Sequence, residues 1–399
     1  MPKASSLKSN IWKNYLLLFT QGFWFILPIF QVYYLFFGLD YLEMGTLEGS
    51  ASAIFFIFTI PCGAFSDLVS RKASIFIGSL LTAVAMLITG LVSTYALFLF
   101  SYGIWSLADS FLYNARGSMM YDTVKQIGRE KEYLRISGRA NIFTVLPLLF
   151  SGFMGPILYS INPRLPWLLI SGLWFLSVII ILFMVEPKKE KQDYTFKNYI
   201  KKIGDGLRFI VKEKHVLWML FFSIAMTVPL AVFNEVISQS YFYEIGFLEK
   251  HMKWIFPAIY GIASLTASQS HRIAKWIGET GSFIFIIIIH SIGLLLMGLL
   301  RTPYAIIVVM ITYISRDFRW VFGDNYINKY SQSGIRTTIM SIITMAVALV
   351  MSFAYTLGGL SVDYFGIHPT LLILGAFTIS VSILLVITKP KNNKKIEEQ

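Results

Sequence analysis

The chain has little of what a soluble or secreted protein needs. Only 14% of its 399 residues are charged, too few to face a domain of ordinary size with water. Its single cysteine, Cys62, excludes an intrachain disulfide framework and any metal site built from cysteines. The five histidines are scattered without zinc-ligand spacing, so no metal centre is expected. No Gly-rich string ending in Lys-Ser or Lys-Thr occurs, and no Gly-x-Ser-x-Gly elbow, which argues against a nucleotide-driven motor, a serine hydrolase and a bound cofactor.

What the chain has in excess is apolar length. Residues of the apolar types make up 56% of it, and they gather into twelve runs: Ile11 to Phe37, Gly45 to Phe65, Ser74 to Ser93, Tyr95 to Arg116, Asn141 to Ser160, Leu165 to Val185, Val216 to Tyr243, Trp254 to Ser270, Gly281 to Leu300, Pro303 to Phe322, Thr338 to Leu360 and Thr370 to Thr388. A helix rising 1.5 Å per residue crosses a hydrocarbon core of about 30 Å in about 20 residues. Lipid forbids exposed backbone that is neither helix nor closed barrel. The expected fold class is an all-α membrane protein with twelve transmembrane helices.

Charge sets the orientation. With Lys3, Lys8 and Lys13 inside, only Arg164, Lys250, Lys253 and Arg301 of the 34 Lys and Arg fall in the odd-numbered gaps. That asymmetry places both termini in the cytoplasm and requires an even number of spans. The first run is too long for the core of a signal peptide and lacks a small-residue cleavage site, so it is read as a retained span. A net charge of +12 would point to nucleic acid in a soluble chain. Here the basic residues flank the runs, where anionic inner-leaflet lipid attracts them. The expected partners are membrane lipid, a small-molecule substrate and protons, with no nucleic acid, for a monomer in the inner cell membrane.

The longest polar segment, Glu186 to His215, carries nine Lys or Arg and divides the runs into six and six. It gives an expected N-terminal bundle over 1–185, a basic linker over 186–215, a C-terminal bundle over 216–388 and a tail over 389–399. Within the linker, Phe196, Ile200, Ile203, Leu207 and Ile210 recur at helical spacing opposite a basic face. Such a stripe suits a helix in the inner headgroup layer, or a solvated linker helix. Six plus six also suggests an internal repeat. Ile136-Ser137-Gly138-Arg139 and Ser333-Gly334-Ile335-Arg336 each open an apolar run, while Gly155-Pro156 and Gly358-Gly359 close the runs that follow. Small residues there also serve close helix packing.

The most specific local signal is Gly63-Ala64-Phe65-Ser66-Asp67-Leu68-Val69-Ser70-Arg71-Lys72. This Gly-x-x-x-Asp-x-x-x-Arg-Lys string resembles the signature cytoplasmic loop of the major facilitator superfamily, in the loop between spans two and three where that family carries it. Gly63 permits a tight exit from the span, Asp67 can accept from the free N–H groups of another helix's first turn, and Arg71 offers a fork to a carboxylate. The resemblance implies two six-helix bundles with Gly63, Asp67, Arg71 and Lys72 forming a latch of the outward-facing state, in which Asp67 meets the start of span eleven and Arg71 meets Asp122. The mirror loop over 268–278 keeps Arg272 and Lys275 but has no Asp. A half-complete match to the drug-antiporter signature, Ser151-Gly152-Phe153-Met154-Gly155-Pro156, fits either export or plain helix packing.

Membrane charges are costly, about 2.5–3.5 kcal/mol each at mid-bilayer on the mildest scale, so they mark function. They fall on span four (Asp109, Arg116), span seven (Glu235) and span ten (Arg316, Asp317, Arg319), with none expected inside spans two, three, five, six, eight, eleven and twelve. The family resemblance implies that spans one, four, seven and ten line the central cavity. Span one contributes Gln21 and Gln31. Asp109 and Glu235 are candidate proton carriers or permanently paired structural acids. Asp109 is expected to face Arg316 or Arg319 across the bundles. Asp317, between two arginines, leaves one net positive charge for an anionic group or a partner acid. Arg116 suits a topological or latch role better than substrate contact. His290 suits a neutral, hydrogen-bonded histidine.

No enzyme constellation competes with this set. The expected function is a secondary active transporter of a small organic solute, working by alternating access as a proton-coupled exporter. Uptake of an anionic metabolite is the first alternative, and a non-transporting sensor or lipid-modifying protein on the same fold is the second.

Overall fold

The computed structural model describes residues 4–188, 196–331 and 336–390. The middle of the linker, the Ser333 to Ile335 part of the second repeat junction, Lys3 and most of the tail lie outside the described residues. Every regular element within them is helical. Nine helices among the described residues are long and apolar enough to cross a bilayer.

The first apolar run is broken. Helix α1 (Ala4–Gln21) and the short α2 (Phe30–Phe36) are separated by irregular backbone over 22–29, where Gly22 and Pro28 remove helix support. The freed groups find partners on neighbouring helices: Trp24 N–H donates to Ser151 at 3.0 Å. Non-helical backbone is tolerated at membrane depth only when it is buried in protein like this.

Next come α3 (Tyr41–Leu68) and α4 (Arg71–Leu91). Asp40 starts α3 with a capping box, accepting from Glu43 N–H at 2.7 Å. Gly63 is not the exit from this helix, as the sequence suggested: α3 stays helical past Pro61 and Gly63 to Leu68. The turn falls instead at Val69 and Ser70, where the Ser70 hydroxyl caps α4 by accepting from Ala73 N–H at 2.9 Å. Then follow α5 (Tyr95–Gln126), α6 (Tyr133–Ile161) and α7 (Leu165–Leu182).

After the linker helix α8 (Phe196–Lys212), the second set begins with α9 (Lys214–Val232), a π-turn over Phe233–Ile237, and α10 (Ser238–Glu244). It continues through α11 (Glu249–Ser268), α12 (Ser270–Leu299), α13 (Ala305–Tyr330), α14 (Arg336–Phe365) and α15 (Ile367–Thr388). Helix α12 kinks at Gly278, whose φ of 73° suits glycine. The stripe of α8 is split: Ile210 is buried, and Gly206 sits against Thr338 and Ile342 of α14, while Leu207 remains exposed.

The buried apolar residues form one large cluster between Leu17 and Met184, a small one of Met120, Val124 and Ile136, and two more between Ile210 and Leu385. Within the bilayer, where lipid is as apolar as these side chains, their close van der Waals packing holds each set together. The two sets meet along α3 and α14, where small residues bring backbones together: a Cβ on Gly45 would strike the Tyr355 carbonyl, and one on Gly359 the Tyr41 carbonyl. At the same end, the Asp363 carboxylate of α14 accepts from Tyr41 N–H at 3.1 Å and Leu42 N–H at 2.7 Å. A carboxylate at a helix N-terminus is favourable both for its hydrogen bonds and for the helix dipole. Gly155 lies against the Phe25 carbonyl and Gly152 against Pro257, so close packing accounts for the half-matched segment of α6.

Candidate functional site

Helices α5 and α13 and the π-turn after α9 carry the membrane charges into the interior. A cavity of about 240 Å³ is lined by Asn234, Glu235, Arg316, Asp317, Arg319 and Trp320, among others. A second, of about 210 Å³, shares Thr227, Arg319 and Trp320 with it and reaches Tyr113 of α5.

Asp109 sits halfway along α5 between buried Ala108 and Ser110, and its own side chain is exposed. It lies one helical turn before Tyr113, which lines the second cavity. Its charged neighbour is Arg116 on the same helix. The inter-bundle ion pair expected from sequence is not formed: among the described residues no salt bridge joins Asp109 to Arg316 or Arg319, because Arg316 is taken by Asp317 at 2.8 Å. Arg316 also stacks over Tyr313 at 4.5 Å and Tyr260 at 5.7 Å, contacts that stabilise a cation in a dry place. Arg116 lies 5.4 Å from the Trp174 ring, and its Nε and Nη2 have no hydrogen-bond partner among the described residues. Arg319 is 4% exposed, lies over Trp320 at 4.9 Å, and has no ion pair among the described residues. His290 donates from Nδ1 to the Met226 carbonyl at 3.2 Å, as a neutral histidine does.

Glu235 belongs to the π-turn, a distortion frequent at functional sites. Across the junction it lies within electrostatic reach of Glu48 on α3. Glu48 accepts from Tyr102 O–H at 3.0 Å. It corrects the expectation that span two carries no interior charge. An acid only a turn inside an apolar run reads as a flank until the neighbouring helices enclose it.

The two span-one glutamines part company. Gln21 is buried and donates to Ser79 of α4 at 2.9 Å, inside the first set of helices. Gln31 instead meets Gln239 of α10 in a reciprocal clasp. Gln31 N–H donates to Gln239 Oε1 at 3.0 Å and Gln239 N–H to Gln31 Oε1 at 2.8 Å. Their amide nitrogens reach the Asn234 carbonyl at 2.8 Å and the Leu27 carbonyl at 3.1 Å, satisfying backbone that the broken helix and the π-turn would leave unpaired. The pairing has a signature in the sequence. Ile29-x-Gln31-x-Tyr33-Tyr34 and Ile237-x-Gln239-x-Tyr241-Phe242 match at a spacing of 208 residues, and both runs end on a positive-φ glycine, Gly38 and Gly246.

At the opposite end of the helices, Arg71 pairs with Asp122, donates to the Ser118 carbonyl at 3.0 Å and lies 3.9 Å from Asp67. Glu186, which sequence placed only in the linker, caps α4: it accepts from Ser70 Oγ at 2.9 Å, Arg71 N–H at 2.9 Å and Lys72 N–H at 2.7 Å. The Lys72 ammonium donates to the Leu182 carbonyl at 2.8 Å. The start of α14, which Asp67 is expected to meet, adjoins residues 332–335, outside the described set.

Broken helices facing each other across two helical sets, with charges on their cavity faces, are the architecture of a carrier. The Major Facilitator Superfamily model matches residues 15–323. The chain belongs to the Major Facilitator Superfamily. A relative in Bacillus subtilis (strain 168), the uncharacterized MFS-type transporter YxaM, is 23% identical over 381 residues, spanning 92% of each chain. Among solved structures, the nucleoside transporter NupG aligns with a TM-score of 0.79 at 12% identity, over 98% of this chain and 100% of that one. A bacterial homolog of the human lysosomal transporter Spinster, inward-facing and unoccupied, gives 0.70 at 13%, over 98% and 96%. At such identities the structures speak for the superfamily fold. The chain is thus an MFS-type, multi-pass membrane protein.

Proposed function

We propose that this chain is a secondary active transporter with twelve spans and both termini in the cytoplasm. In this reading the bundles 1–185 and 216–388 rock about a central site, moving a small organic solute outward in exchange for protons. The observations that carry it are an exposed acid halfway along a helix of one bundle, Asp109, and an acid of the other, Glu235, that lines the cavity and has no ion pair among the described residues. A carboxyl that sees poorly solvated protein in one state and water in the other binds and releases a proton with the cycle. Export is favoured by the aromatic cavity faces, Trp320 and Tyr355 among them. The Asp40 end is the closed side: the glutamine clasp and the α3–α14 contacts join the bundles there. Gly63, Asp67, Arg71, Lys72 and Asp122, all in the first bundle, are its part of the latch that closes the cytoplasmic end in the outward-facing state.

Uptake of an anionic metabolite is a second reading, favoured by the guanidinium of Arg319 in the cavity wall, which has no ion pair among the described residues. Transport in sealed proteoliposomes of each orientation, with an imposed proton gradient, separates the two. Asp109→Asn and Glu235→Gln are expected to cut gradient-driven flux at least tenfold while leaving solute exchange at equal pH. Gradient-driven flux that survives both substitutions would refute proton carriage by these residues.

A further inference from the structure

The two cationic side chains of α13 are treated differently by the fold. Arg316 holds Asp317 at 2.8 Å and lies against two tyrosine rings. Arg319 is 4% exposed, its Nε has no hydrogen-bond partner, and no carboxylate lies within ion-pair distance among the described residues. A desolvated guanidinium left this way is costly, since its lost hydration is not replaced. It stands where two cavities share a wall, with Thr227 and Trp320 common to both. We propose that Arg319 is the anchor for an organic monoanion, the carboxylate of the transported solute, whose apolar body lies against Trp320, Met226 and Met351. The proposal rests on the transport reading but not on its direction.

The surroundings set the ligand's charge and size. Asp317 and Asp324 lie within electrostatic reach of Arg319, as do Arg316 and His290, and Glu235 lines the same cavity. One unit of negative charge completes the guanidinium, whereas a dianion such as a phosphate monoester would face three carboxylates. The Thr227 hydroxyl can donate to the second carboxylate oxygen. At about 240 Å³ the cavity lies below the ~300–1,000 Å³ of drug-sized sites, which limits the solute to one small ring or a short chain. An uncharged solute would leave Arg319 as it found it.

The test compares four probes of one shape: benzoate, its neutral amide benzamide, the cation benzylamine and the dianion phenyl phosphate. Binding is measured by equilibrium dialysis to purified protein in lipid nanodiscs. Benzoate is expected to bind at least tenfold more tightly than each of the others, Arg319→Gln to abolish the preference, and Arg319→Lys to restore part of it. A benzoate affinity no better than that of benzamide, or tighter binding of phenyl phosphate or benzylamine, overturns the proposal. So does a folded Arg319→Gln protein that keeps the preference. If that variant does not fold, Trp320→Glu decides: Trp320 is 51% exposed, and an acid there would satisfy the guanidinium and remove the preference. A preference that survives Trp320→Glu also overturns it. Carboxylate binding without any flux in vesicles would leave this site standing and remove the transport reading. Proton-driven flux of a solute without a carboxylate, with no benzoate preference, would do the reverse.

Discussion

Glu48 shows how little a residue's identity says before its neighbours are known. In sequence it stands near the edge of an apolar run; in the fold it faces Glu235 across the line where the two helical sets meet, with Tyr102 as its donor. Two carboxylates held in reach of each other in poorly solvated protein cannot both ionise cheaply. Glu48→Gln keeps an acceptor for Tyr102 O–H and removes one of the two acids, so it is expected to raise thermal stability more at neutral pH than at pH 4. Melting of the detergent-solubilised protein at both pH values measures it; a loss of stability at neutral pH would mean the carboxylate is needed in its charged form. Asp109, Glu235 and the α13 charges were legible because a charge in mid-span has no bland flank to hide in. Glu186 and Asp363 were not, since acids next to span ends are common and only the fold shows which helix N-terminus each one meets.

At the scale of elements, the glutamine clasp ties two interrupted helices together. Each glutamine uses its own backbone N–H and both side-chain groups on the partner strand of chain, so removing one leaves buried groups of the other unsatisfied, at about 1–3 kcal/mol. Gln31→Leu and Gln239→Leu are each expected to destabilise by that amount. Their double variant should cost clearly less than the sum, the mark of direct coupling in a double-mutant cycle read by thermal unfolding. Additive costs would mean the clasp carries no coupling. The α3–α14 line makes a sterner demand. A Cβ at Gly359 meets main chain rather than a flexible side-chain tip, so Gly359→Ala must spread the helices. Overpacking of this kind costs about 1–3 kcal/mol, and a spin-label pair on Asn162 and Arg301 is expected to show the Asp40 end populating a longer distance. An unchanged distance distribution would argue that the helices do not meet as closely as described.

For the molecule as a whole, the charge asymmetry and the run lengths make a prediction about sidedness. Cysteines introduced at Lys188 and Lys214 should react with a membrane-impermeant thiol reagent only in inside-out vesicles, and one at Asn162 only from the opposite side. Labelling of Lys188 from outside would overturn the orientation. The repeat is also a property of this scale. The 208-residue spacing of the two Gln-x-Tyr segments places one copy in each helical set, and a two-fold relation makes one glutamine's partner the other glutamine, which no single helix could arrange.

Run length, composition and the placement of Lys and Arg determined the helical membrane class, because the bilayer imposes one length and one hydrogen-bonding rule on every segment that crosses it. The string from Gly63 to Lys72 pointed to the superfamily because its residues act locally, at one turn between two helices. Which charges find partners was decided only by the tertiary structure. Arg316 and Arg319 are three residues apart on one helix and look alike in sequence, yet one is neutralised by its neighbour and the other is left facing a cavity. Asp317 neighbours both arginines in sequence, and which of them it takes depends on the packing around α13, where Tyr260 of α11 lies 5.7 Å from Arg316.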